Sequence, residues 1–357
     1  MIKVLVVEDT PVVQEFLVHI LNSDPEIQVI GTANNGEEAI ETVKHKKPDV
    51  ITMDINMPKM NGLDATRRIM ETHPTPIVIV SGSWDTKEVE TTFRAIEAGA
   101  LACVQRPAGI GHPDHEATVK ELIQTVKLMS EVKVVKRWTR YRQVEAAPAI
   151  STPAAVDIKQ IPAEIRIVAI GASTGGPPVL QTILTGLPKD FPVPILIVQH
   201  MAQGFTQGLA EWLAQSTGFS VHIAVDGEYL LPGHAYIAPG GFHMKVEIGN
   251  RIALSNDDPE DGLRPSVSYL FRSVSKVYGK NAIGVLLTGM GKDGAEELKL
   301  IKEKGAVTIA QDKESSVIFG MPGEAVKLNG ATYVLSPDKI VAVLTSFLYT
   351  KTKRWDA

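Results

Sequence analysis

Cysteine is nearly absent: Cys103 is the only one in 357 residues, so no intrachain disulfide can hold the fold. It lies in the apolar run 100–104 and reads as a strand thiol rather than a nucleophile. An excess of positive charge is missing too. With 36 Lys and Arg against 41 Asp and Glu, the formal net charge is -5, which offers no global attraction to nucleic acid or anionic lipid. No apolar run approaches the length of a membrane span. The N-terminal run 2–7 ends in Glu8-Asp9, too short and too acidic for a signal peptide. A cytoplasmic protein that is not inserted in a membrane and takes no nucleic acid partner is expected.

What the chain does have is an alternation of short apolar runs with stretches of helical period, long enough for two domains. Runs at 4–7, 27–30, 50–53, 77–80 and 101–104 read as strands, with helices between them and after the last. In the fourth helix Val89, Phe93 and Ile96 share a face, with Asp85 as the expected N-cap. These units predict a five-stranded, parallel, doubly wound α/β domain over residues 1–129, with ligands gathered beyond the carboxyl ends of the strands. Glu8, Asp9, Asp54, Ser81 and Arg106 all fall there. Three carboxylates converging at one sheet edge repel one another, and a hard divalent cation such as Mg2+ relieves the repulsion.

These residues resemble the receiver domain of two-component response regulators. The resemblance implies that Asp54 accepts a phosphoryl group from a histidine kinase. It also implies that Asp9, Asp54 and the backbone carbonyl of Asn56 hold Mg2+, with Glu8 assisting, and that Ser81 is the switch hydroxyl. Two positions depart from the pattern: Glu8 stands where most receivers carry Asp, and Arg106 where they carry Lys. Arginine keeps the charge but its planar fork cannot reproduce a compact ammonium. Phosphorylation of Asp54 with weaker coupling to output is therefore expected.

Over 130–162 the composition turns first basic, at 133–140, and then Ala/Pro-rich, at 145–153, which predicts an extended linker. Strand and helix alternation resumes at 165 and predicts a second doubly wound α/β domain over 163–350. Within it 195–198, 282–287 and 307–310 read as strands and 204–214 and 337–349 as helices, with Pro265 opening another helix. The Pro- and Gly-punctuated stretch 231–240, with the alternation at 243–253, reads as a β-hairpin insertion. No internal repeat is present.

The turn after the run 165–170 reads Gly171-Ala172-Ser173-Thr174-Gly175-Gly176. It matches a Gly-x-Ser-x-Gly elbow, in which a side chain at Gly171 or Gly175 would block a substrate carbonyl. On these six residues alone a phosphate-cradling or merely tight turn fits equally well. His200 and Asp293, however, also follow strands, so the fold can gather Ser173, His200 and Asp293 as nucleophile, base and orienting acid. His234 and His243 are the best rival bases, and Asp226, Asp257, Asp258, Asp261 and Asp312 rival acids. Gly289-Met290-Gly291 reads either as a tight turn or as backbone amides aimed at an oxyanion. A DNA- or RNA-binding output lacks a basic recognition helix, and a nucleotide site lacks both the Gly-x-Gly-x-x-Gly spacing and the Lys-Ser/Thr of a phosphate loop.

With Gln199-His200-Met201, Tyr236-Ile237-Ala238-Pro239-Gly240, the run 287–295 and Phe319-Gly320-Met321-Pro322, the chain resembles the family of chemotaxis response regulator protein-glutamate methylesterases. That resemblance implies hydrolysis of glutamyl γ-methyl esters on methylated chemotaxis receptors, with deamidation of glutamines as a second activity and no cofactor for the esterase step. Ser173, His200 and Asp293 match the family's nucleophile, base and acid, and Thr174 and the Met290 amide are candidates for oxyanion or supporting roles. The family's usual proline after Met201 is Ala202 here. The resemblance further implies that an unphosphorylated receiver packs over the catalytic cleft until Asp54 is phosphorylated.

Overall fold

The computed structural model describes residues 1–82, 86–132, 134, 164–201 and 204–349, and the chain divides into two compact units, Met1–Glu145 and Ala146–Ala357. The expected N-cap Asp85, Ala202 and nearly all of the expected linker lie outside the described residues.

In the first unit the apolar runs become β1 (Ile2–Val7), β2 (Ile27–Ala33), β3 (Val50–Met53), β4 (Ile77–Ser81) and β5 (Ala102–Gln105). Helices α1 (Pro11–Asn22), α2 (Gly36–Lys46), α3 (Gly62–Thr72), α4 (Thr86–Ala98) and α5 (His115–Ser130) follow them in turn. The strands pair in parallel in the order β2-β1-β3-β4-β5, so the winding reverses beside β1. Every residue of β3 and β4 is buried, as a sheet covered on both faces requires. Asn35 caps α2 by accepting from the Glu37 and Glu38 amides, and Asn61 caps α3 by accepting from Asp64. Phe93 and Ile96 face the core from α4 as their spacing predicts. Cys103 lies half-buried in β5 with its thiol pushed up to about 12 by burial, a state without nucleophilic character.

The second unit runs β6 (Ile167–Ala172), α6 (Gly176–Gly186), β7 (Ile195–Gln199), α7 (Phe205–Thr217), β8 (Ser220–Ile223), β9 (His234–Ile237), β10 (His243–Glu247), β11 (Arg251–Ser255) and α8 (Val267–Tyr278). It continues through β12 (Ala282–Leu286), α9 (Ala295–Glu303), β13 (Val307–Gln311), α10 (Met321–Lys327), β14 (Tyr333–Leu335) and α11 (Pro337–Tyr349). Seven strands form a parallel sheet in the order β14-β13-β12-β6-β7-β9-β8. The chain winds one way from β6 and returns to the other side at β12, which places the switch point between these two strands.

Three expectations need correction. The stretch 231–240 is not part of the hairpin: Ala235, Tyr236 and Ile237 are buried, and β9 lies inside the main sheet between β7 and β8. The antiparallel hairpin is β10 and β11 alone. Pro265 does not open α8, because Ser266 keeps an extended backbone and caps the helix by accepting from the Tyr269 amide. The third concerns Gly171 and Gly175. A Cβ at Gly171 would lie 2.4 Å from Val267 Cγ1, and one at Gly175, where φ is +78°, would lie 2.6 Å from Val317. These glycines let α8 and the 317 loop pack against the elbow, so the constraint there is internal packing and not the approach of a substrate.

Gly171→Ala is accordingly expected to cost about 2 kcal/mol through overpacking. Val267→Ala in the same chain should recover part of the loss. Urea unfolding of the single and double variants checks both.

Candidate functional site

Register brings three strand ends level: Leu286 of β12 is paired with Gly171 of β6, and Ala172 of β6 with Gln199 of β7. Ser173 stands one residue past β6, where its amide donates to Thr288 O at 3.0 Å and its carbonyl accepts from Gly176 N at 2.8 Å. His200 stands one residue past β7, its amide donating to Ala172 O at 2.9 Å. Asp293 comes from the loop after β12, and its Oδ2 meets His200 Nε2 at 2.9 Å. A carboxylate can only accept, so Nε2 carries the proton and Nδ1 keeps the basic lone pair.

The surroundings of Asp293 were not foreseen. Its carboxylate also accepts from Ser266 Oγ at 3.0 Å and from the first-turn amides of α8, Val267 N at 2.7 Å and Ser268 N at 2.9 Å. Burial alone would raise this carboxyl, but the hydrogen bond and charge of His200, with the Ser268 donors, hold it well below the usual carboxylate range. The helix N-terminus favours the anion in the same sense. Behind this clamp, Ser268 Oγ donates to Glu297 and accepts from the Gly294 amide, and Arg272 pairs with Glu297 and Glu260. The one cue in the sequence was a serine placed directly before a helical period.

Most of the rivals have other partners. His243 is fully buried, with Nε2 donating to Asp258 O and Nδ1 accepting from Ser266 N. His234 faces Ser220, Asp226 accepts from the Leu254 amide, Asp257 from the Tyr269 hydroxyl and Asp312 from Ser315.

The loop carrying Met290 is pinned on both sides. Thr288 N donates to Gln311 Oε1, Gly289 N donates to Ile318 O, and Gly289 O accepts from the Met321 amide. It passes so close to the elbow that a Cβ at Gly289 would sit 2.6 Å from Ser173 Cβ. Thr288 Oγ1 donates to the Thr174 carbonyl at 2.9 Å, fixing the residue that follows Ser173.

At the edge of the other sheet, one oxygen each of Glu8, Asp9 and Asp54 lies within 4.8 Å of the others. Arg106 Nη2 reaches Glu8 Oε2 at 3.3 Å and Asp54 Oδ1 at 3.8 Å. Burial, followed by the charge of Glu8, pushes the Asp54 carboxyl up to about 7 despite Arg106. Burial likewise raises Glu8. Ser81 is buried at the end of β4, and Asn56 is exposed two residues past Asp54.

Residues 168–344 match the CheB methylesterase family model and residues 4–112 the response regulator receiver domain. The protein-glutamate methylesterase/protein-glutamine glutaminase of Nitrosospira multiformis is 62% identical over 98% of this chain and 97% of its own length. One from Geobacter metallireducens is 59% identical over 98% of this chain and 100% of its own. The Thermotoga maritima CheB methylesterase catalytic domain is 42% identical, covering 51% of this chain and 97% of that structure, with a TM-score of 0.49.

The chain belongs to the CheB methylesterase family.

In this CheB family member no helix among the described residues is long and apolar enough to cross a membrane. The receiver carboxylates suit a hard divalent cation: three oxygen donors converge, and burial together with neighbouring carboxylates raises both Glu8 and Asp54, a cost that a cation would offset.

Because the Asp54 pKa is raised on folding, from 3.8 to about 7, the protonated form stabilises the folded receiver. That contribution is complete below the unfolded value and is lost as pH rises through about 7. Without divalent ions the receiver should therefore lose stability across this window. Stabilisation by added Mg2+ should grow with pH as protons stop competing for the oxygens. Thermal unfolding with and without Mg2+ measures both, and Asp54→Asn should flatten the metal-free slope.

Proposed function

We propose that the chain hydrolyses glutamyl γ-methyl esters on chemotaxis receptors by acyl transfer through Ser173, and that the same site deamidates receptor glutamines. The family supports the reaction class, and the name its relatives carry, protein-glutamate methylesterase/protein-glutamine glutaminase, supports the substrates. The observation that carries the assignment of residues is the 2.9 Å contact between His200 Nε2 and a fourfold-bonded Asp293, at the sheet edge that Ser173 shares.

Ser173 Oγ attacks the ester carbonyl while His200 Nδ1 takes its proton, and Asp293 stabilises the imidazolium through Nε2–H. The Met290 amide, supported by the fixed turn at Thr174, donates to the oxyanion. Collapse breaks the bond to the methoxy oxygen, His200 returns the proton, and methanol leaves. Water, deprotonated by the same nitrogen, then cleaves the acyl-enzyme to give the glutamyl carboxylate and restore Ser173. For a glutamine the first leaving group is ammonia.

Control resides in the receiver, for which we assign residues 1–129, with 130–162 as linker and 163–350 as catalytic domain. A histidine kinase phosphorylates Asp54, and esterase activity rises in response. Asp9, Asp54 and the Asn56 carbonyl would hold Mg2+, with Glu8 assisting, and the ion's charge would offset that of the incoming phosphoryl oxygens. Ser81 and Arg106 face the same edge and read the phosphorylated state. The setting is the cytoplasm, where the receptors present their methylated helices.

Methanol release from membranes bearing carboxyl-methylated receptors tests the assignment. Ser173→Ala should reduce it at least about a thousandfold, and Asp293→Asn on the order of a thousandfold or more. An amide at 293 keeps one acceptor oxygen and turns its NH2 towards the donors on the other, either His200 Nε2 and Val267 N or Ser266 Oγ and Ser268 N, so the second variant loses part of its seat as well as its charge. Unchanged release from Ser173→Ala would refute the mechanism. Separately, Arg106→Lys should increase the ratio of activity with phosphodonor and Mg2+ to activity without, and an unchanged ratio would refute weakened coupling.

A further inference from the structure

Gln199 is the last residue of β7, is only 2% exposed, and takes no part in the chemistry above. Its side-chain amide donates to two backbone carbonyls, Ser173 O and His200 O, each at 2.9 Å. Both acceptors are carbonyls, so the group facing them must be the NH2, and Oε1 points the other way. Among the described residues that oxygen has no hydrogen-bond partner. A buried, unpaired amide oxygen is unfavourable, so a glutamine seated in this way is held by what its two donors do.

Its position in the sheet shows what they do. The backbone ladder between β6 and β7 ends with His200 N donating to Ala172 O. The next carbonyl, one residue past β6, is that of Ser173, and besides the Gly176 amide it accepts from the Gln199 side chain on the β7 side. One amide thus extends the ladder a residue beyond the strands and ties together the two backbones that carry nucleophile and base. Gly176 shares in the arrangement: a Cβ there would lie 2.1 Å from Gln199 Oε1, so the last glycine of the Gly-Ala-Ser-Thr-Gly-Gly turn is the space into which this amide fits.

We infer that Gln199 is a positioning residue for the esterase reaction, a strap that sets the separation of Ser173 and His200 through their main chains. The inference rests on Ser173 and His200 being nucleophile and base. Removing the strap lowers kcat and the reactivity of Ser173 while leaving receptor binding, and hence KM, nearly unchanged.

The full chain is assayed for kcat and KM in methanol release, for the rate at which a fluorophosphonate labels Ser173, and for thermal unfolding. Gln199→Met, which keeps the length but no donor, should lower kcat and labelling together, on the order of 10- to 100-fold. Gly176→Ala, which leaves Gln199 intact but occupies its seat, should shift the same two rates in the same direction. Gln199→Glu supplies the readout that a purely structural role would not move. A buried carboxyl facing two carbonyls is held protonated, so its one O–H replaces one of the two donors. Its kcat should exceed that of Gln199→Met at low pH and fall as pH rises through the raised pKa, a limb that the wild type lacks. Wild-type kcat and labelling in Gln199→Met, or a pH profile for Gln199→Glu parallel to that of the wild type, would overturn the strap. Continued release by Ser173→Ala would instead remove the nucleophile on which it rests.

Discussion

A carboxylate held at the mouth of a helix organises the catalytic edge. Asp293 accepts from the Ser266 hydroxyl, from the Val267 and Ser268 amides and from the His200 ring, so it stays ionised although almost buried. The protonated Nε2 of His200 follows from that charge, and the free lone pair on Nδ1 follows from the protonated Nε2. Even the packing of α8 serves this contact. Val267 both donates to Asp293 and fills the space that Gly171 leaves beside the elbow, so one residue couples Asp293 to the strand that leads into Ser173. Buried His243 accepts from the Ser266 amide, which ties the hairpin to the same cap.

Both units place acids beyond the carboxyl ends of parallel strands, yet they drive those acids in opposite directions. Asp293 is surrounded by donors and is pulled below its ordinary range, whereas Asp54 sits among other carboxylates and is pushed up to about 7. Burial raises both, so the neighbours decide the sign. Four donors stabilise the charge of Asp293 beside the His200 ring. The raised carboxyl of Asp54 is poised instead, because a cation at this edge would change its ionisation.

The sequence made the large features legible for a physical reason. Parallel strands buried on both faces leave continuous apolar runs, and their carboxyl ends are where ligands gather, so Asp9, Asp54, Ser173 and His200 could be placed from hydropathy and position alone. What it concealed depends on contacts between distant segments. The donors to Asp293 include backbone amides of α8, which any residue type supplies, so nothing in the sequence marks Val267 or Ser268 as partners of residue 293. Gly171 and Gly175 stood out, but their neighbours Val267 and Val317 were invisible, and the packing role was mistaken for room to admit a substrate. The strand at 234–237 was assigned to the hairpin because Pro and Gly flank it, although burial in the main sheet outweighs such local punctuation.

Arginine in place of lysine at 106 illustrates how one departure depends on others. The guanidinium spans Glu8 and Asp54 from the end of β5, and a Cβ at Gly82 would lie 2.7 Å from its Cζ. A larger residue at 82 would push the planar group aside, so the glycine next to Ser81 leaves room for the guanidinium in this position. Glu8, longer by one methylene than the usual aspartate, extends its carboxylate to Arg106 and shares the charge that would otherwise be directed at Asp54 alone. The three residues therefore form one adjusted set. A guanidinium already paired with Glu8 has less to gain from a new anion on Asp54 than a free ammonium would have, and that lower differential is the physical basis for expecting weaker coupling.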